Sequence, residues 1–96
     1  ATDAILGMDE RGKICIWNNA ATKMFGYGAT SAIGRQLHEL IVPNQYRSRA
    51  AIGMKHFQDS GEGEIIGKTI ELTALHKDGT EFSIELAVSA HKFGNG

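Results

Sequence analysis

Four histidines, one cysteine and eleven carboxylates are the side chains best able to ligate a metal, attack a carbonyl or move a proton. His38, His56, His76 and His91 are dispersed, with no i, i+4 pair and no cysteine or carboxylate at ligand spacing beside them. A metal needs three or four convergent donors, so no metal site is expected. No serine sits in a nucleophile elbow, and "GEG" followed by "IIG" lacks the helix start that turns backbone N–H groups onto a phosphate. Asp9-Glu10 and Glu62-Gly63-Glu64 are turn and loop carboxylates, solvated rather than poised for acid–base work. Cys15 falls on a predicted strand and reads as a small packing residue. The expectation is a chain that catalyses nothing.

Binding is the chemistry left. Tyr46, Ala50, Met54 and Phe57 recur at spacings of four, four and three, which places them on one stripe of a helix. Ile70 and Leu72 on one predicted strand, with Leu86 and Val88 on the next, present an apolar face of their own. If stripe and face converge, these eight side chains line a cavity for a small organic ligand, and Ala50 leaves room where a larger residue would fill it. If the side chains meet, the same residues make an ordinary core.

The elements that must position them follow from local patterns. "LHKDGTEFSIELAVS" alternates apolar and polar residues from Phe82 to Ser89 behind Asp78-Gly79, a dipeptide that tolerates the backbone angles of a tight hairpin. The strand before it is expected over 64–75 and its partner over 82–90. Near the start, "AILGMDERGKICIWNN" reads as a first hairpin turning at "DERGK". Strict alternation along its second strand would set Cys15 and Trp17 opposite Ile14 and Ile16, leaving an aromatic on the outer sheet face that a second copy of the chain would cover.

Asn18 or Asn19 can cap a short helix with Ala20, Ala21, Met24 and Phe25 as its body and Gly26 as its stop. Another helical turn is expected at "TSAIG", and the longest helix over 44–59 after Pro43. Strands at both ends and helices between them indicate an α+β domain with its helices on one side of an antiparallel sheet.

A length of 96 residues allows one domain, taken as a segment of a longer protein because it starts at Ala1 and stops on "GNG". A net charge of −1 gives no footprint for nucleic acid, and no apolar run is long enough to span a membrane. One cysteine cannot form an internal disulfide, which fits a cytoplasmic setting.

The blocks "DAILGMDERGKICIWNNAATKMFGYGATSAIGRQLHELIVP" and "GEGEIIGKTIELTALHKDGTEFSIELAVS" together resemble the Per-Arnt-Sim (PAS) sensor domains over nearly the whole chain. The resemblance implies a single PAS domain over residues 1–96, with a five-stranded antiparallel sheet and short helices packed on one face. It also implies a cavity between the sheet and the long helix that holds haem, flavin, an organic acid or nothing. A second copy covering the outer face beside Trp17 would make a homodimer, and the resemblance further implies a covalently linked output domain, such as the kinase of a bacterial two-component system or a diguanylate cyclase. The alternative it leaves open is a ligand-free module for dimerisation and relay.

The haem-binding members carry an iron-ligating histidine on the long helix, and ungapped alignment through "IIG" and "KDG" puts Ala50 there. Ile70 then replaces the distal arginine and Lys68 the alternative distal methionine. Haem held in that manner is not expected, and His56, six residues beyond Ala50, points about 120° away. A covalent flavin would need a cysteine where this chain has "NQYRSR". Non-covalent flavin stays open, with Trp17 available to pack on its ring.

Overall fold

The computed structural model describes residues 4–60 and 69–91. Strand β1 (Leu6–Asp9) turns into β2 (Ile14–Trp17), followed by helices α1 (Asn19–Phe25), α2 (Ala29–Ala32) and α3 (Leu37–Ile41). A 3₁₀ turn (Asn44–Tyr46) leads into the long helix α4 (Arg47–Ser60), and β3 (Thr69–Leu75) and β4 (Glu81–His91) complete the order. The part of the expected third strand that falls on 64–68 lies outside the described residues. So does most of "SGEGE", the stretch expected to end the long helix.

The strands form one sheet in the order β2-β1-β4-β3. Both hairpins are antiparallel, as expected, but β1 runs parallel to β4, with Leu6 opposite Val88 and Asp9 opposite His91. The described sheet is therefore mixed rather than wholly antiparallel. A parallel neighbour needs a long crossover rather than a tight turn, and the helices between β2 and β3 supply it. The fifth strand implied by the resemblance is not among the described residues.

Local chemistry sets each boundary. Asn18 Oδ1 accepts from Ala21 N–H and from Ile5 N–H, both at 2.9 Å, so one carbonyl caps α1 and ties it to the approach to β1. Gly26 ends α1 with φ 87° and returns its N–H to Thr22 O. Asp9 Oδ1 accepts from Arg11 and Lys13 N–H to close the first hairpin, and Asp78 Oδ1 accepts from Thr80 N–H in the second. The free edge of β2 is covered by residues 34–37: Ile14 N–H donates to Arg35 O and Gly34 N–H to Ile14 O.

Alternation along β4 holds, with Ile84, Leu86 and Val88 buried and Ser83, Glu85 and Ala87 exposed. Along β2 it fails. The register shifts between Gly7 and Met8, which face Ile16 and Ile14 and leave Cys15 unmatched. This bulge turns both Ile14 and Trp17 into the core, at 1% and 6% exposure. Trp17 therefore does not sit on the outer face: its indole N–H donates to Tyr27 O at 2.9 Å, and its ring packs on Phe25 at 5.4 Å between centroids. The described outer face therefore presents no Trp17 ring for a second copy to cover.

Candidate functional site

Helix α4 and the 3₁₀ turn before it carry half of the expected lining, so what anchors them decides the site. At the start of α4, the Arg47 guanidinium donates to Val42 O and Glu39 O, satisfying carbonyls at the end of α3. Gln45, in the 3₁₀ turn just before it, donates to Glu81 Oε1 at 2.8 Å and links this corner to β4. Toward the end of α4, Met54 lies over Gly12 in the first hairpin, where φ is +82° and a Cβ would collide with the Met54 sulfur. Arg11 O accepts from Gln58 and from Gln36, a clasp of two amides on the same turn.

Between these anchors the helix closes unevenly. Met54 and Phe57 are buried at 8% and 4% exposure. Ala50 is only half-buried, and Tyr46, in the 3₁₀ turn rather than in α4, is 47% exposed. The stripe read from spacing is thus sealed over its second half and open over its first. The reason is the change of helix type: a 3₁₀ turn advances more angle per residue than an α-helix, so Tyr46 loses phase with the stripe.

On the sheet side, Leu86 and Val88 are buried at 2% and Leu72 is half-buried against the core. The backbone of Ile70 is the register partner of Leu86. Ile84 and Ala74 join the buried face, and Phe82 packs on Phe25 at 5.7 Å. These three were not assigned to the lining, although the alternation that contains Phe82 and Ile84 could have named both. Met54, Phe57, Leu86 and Val88 all belong to one continuous core cluster with Leu72 packed against it.

Titratable groups add little to this surface. His56 is exposed on α4. Among the described residues no three of His, Cys, Asp and Glu gather where they could hold a metal ion. On α4 the inward positions are Ala50, Met54 and Phe57, so the imidazole that haem-binding members place on this helix has no counterpart there. Cys15 is half-buried, and burial, followed by the nearby Asp9 carboxylate, pushes its thiol up, away from the reactive thiolate. Two polar atoms at the head of α3, Gln36 Oε1 and His38 Nδ1, are buried with no hydrogen-bond partner. A separate open cleft of about 570 Å³ runs along α1, lined by Asn19, Ala20, Lys23 and Met24, none of them in the expected set.

The sequence pattern of the PAS fold matches residues 1–96. The chain belongs to the PAS family. Among solved structures, the PAS domain of a protein from Colwellia psychrerythraea is similar, with a TM-score of 0.53 and 30% identity over 77% of this chain and 58% of that one. An uncharacterised protein of Azorhizobium caulinodans is 37% identical over 96% of this PAS domain, and the match takes up 12% of that protein. The sensor protein FixL of Bradyrhizobium diazoefficiens is 28% identical over 96% of the domain and 18% of its own length. The oxygen sensor protein DosP of Escherichia coli is 26% identical over 85% and 10% respectively. The chain thus spans less than a fifth of each of these curated relatives. Two of these relatives, FixL and DosP, are named as sensors. Among the described residues no helix is long and apolar enough to cross a membrane.

Proposed function

We propose that this PAS domain is a non-enzymatic, cytoplasmic sensory module that binds a small apolar or amphiphilic organic molecule between α4 and the inner face of the sheet. The observation that carries this reading is the uneven closure of α4: Met54 and Phe57 seal one half, while Ala50 leaves the other half partly open beside an exposed Tyr46. The related sensor FixL and oxygen sensor DosP support a sensing role, but Ala50 in place of an imidazole argues for a ligand other than haem. Binding would bias α4 and the strands it covers between two arrangements, and an output domain joined to the PAS domain would read that bias. Only a molecule with different affinity for the two arrangements can act in this way.

The test is an absorption spectrum of freshly purified protein, followed by mass spectrometry of what denaturation releases. A released organic molecule supports the reading; a Soret band or flavin peaks replace it with redox sensing, and no released molecule shifts it to relay without a ligand. Ala50→Trp gives an independent check. In an open cavity the indole fits and stability holds or rises, whereas in a closed core overpacking lowers it by about 1–3 kcal/mol.

A further inference from the structure

The turn between β3 and β4 rests on the end of α1, away from α4 and independent of the ligand reading. Lys77 N–H donates to Phe25 O at 2.9 Å, and the His76 ring covers Gly26, where a Cβ would meet its Cε1 and Nε2 at 2.6 and 2.8 Å. Within the turn, His76 Nδ1 lies 3.1 Å from Asp78 N and also 3.1 Å from Asp78 Oδ1. One nitrogen cannot serve both. A neutral ring accepts the Asp78 N–H through its Nδ1 lone pair, whereas an imidazolium carries a proton there and donates to the carboxylate. We infer that His76 is a proton-operated latch between the β3–β4 turn and the C-terminal end of α1.

The charges around the ring set the direction. Asp78 faces it from the same turn, and Gly26 faces it from α1 with no charge of its own but with the partial negative end of that helix. Lys77 holds its ammonium over the Tyr27 ring, 5.9 Å from the centroid, and Lys23 lies in the last turn of α1. Glu81, at the start of β4, is engaged by Gln45. Protonation exchanges a neutral N–H···N bond for a charge-assisted one and sets a cation against the helix end. The latch therefore tightens on acidification, and Asp78 N–H turns to solvent.

The experiment is an NMR titration of the 96-residue chain over roughly pH 5–8, the range in which imidazoles change charge. It follows the imidazole nitrogens of His76, the Asp78, Gly26 and Lys77 amides, and exchange protection of Lys77 N–H corrected for intrinsic rates. As His76 gains its proton, the Asp78 amide should move upfield, Gly26 and Lys77 should follow with the same midpoint, and Lys77 protection should rise several-fold. His76→Asn keeps an acceptor without a titration and should abolish the transition. Asp78→Asn keeps an Oδ1 acceptor for Thr80 N–H and should remove the gain in Lys77 protection. An Asp78 amide that ignores His76, a transition that survives His76→Asn, or a gain in Lys77 protection that survives Asp78→Asn overturns the latch.

Discussion

Replacing Gly12 with alanine tests the anchoring of α4 at its most crowded contact. Two costs add at this position. Its φ of +82° is one that residues with a Cβ rarely adopt, which costs about 1–2 kcal/mol. The new methyl would also occupy the space of the Met54 sulfur, with Gln36 Oε1 3.1 Å away, and overpacking of this kind costs about 1–3 kcal/mol. Gly34 and Gly79 separate the terms, because they share the positive φ, at 91° and 94°, and a Cβ at either meets nothing within 4 Å. In urea melts followed by circular dichroism, Gly34→Ala and Gly79→Ala should lose about 1–2 kcal/mol and Gly12→Ala about 2–5 kcal/mol. The double variant Gly12→Ala, Met54→Ala should be more stable than the sum of its parts by at least about 1 kcal/mol, since the methyl then enters space the thioether has left. Equal losses in all three glycine variants, or additivity in the double variant, would refute a helix seated on the first hairpin.

Trp17→Phe removes the indole donor to Tyr27 O and leaves a small void beside Phe25, so unfolding free energy should drop by about 1–3 kcal/mol in the same assay. Asn18→Ala releases both Ala21 N–H and Ile5 N–H and should cost about 1–2 kcal/mol, with amide exchange rising at Ile5 as well as in the first turn of α1. Asp78 is held below the ordinary aspartate range by its hydrogen bonds to Thr80 first and by His76 last. A carboxylate with a lowered folded pKa contributes stability above its unfolded value and loses it as pH falls through the folded one. The difference in melting temperature between the native chain and Asp78→Asn should therefore shrink below about pH 4.

The hairpin at Asp78-Gly79, the Asn18 cap, the Gly26 stop and the buried face of β4 were legible because each is set by neighbours a few residues away. Trp17 was misplaced because strict alternation assumes an unbroken ladder, and the bulge opposite Gly7 and Met8 depends on how two strands meet. Tyr46 was put on the helix stripe because spacing alone does not distinguish a 3₁₀ turn from the helix that follows it. The Met54–Gly12 contact and the amide clasp on Arg11 O join residues more than 20 positions apart, and neither leaves a periodic trace. Of the candidate lining, the buried members Met54, Phe57, Leu86 and Val88 followed from periodicity. How far the space beside Ala50 stays open depends on the packing of whole elements.

The parallel pairing of β1 with β4 also sets how the domain bears load. Because the two strands run side by side in one direction, β1 begins opposite Val88 and β4 ends opposite Asp9. Tension applied at the Leu6 end of β1 and the His91 end of β4 therefore slides one strand along the other, and the ladder from Leu6↔Val88 to Asp9↔His91 carries the force together. Strands arranged as a hairpin would instead peel apart one bond at a time. A neighbouring domain that pulls along this axis meets a shear joint, whereas one that pries at the β3–β4 turn meets a zipper.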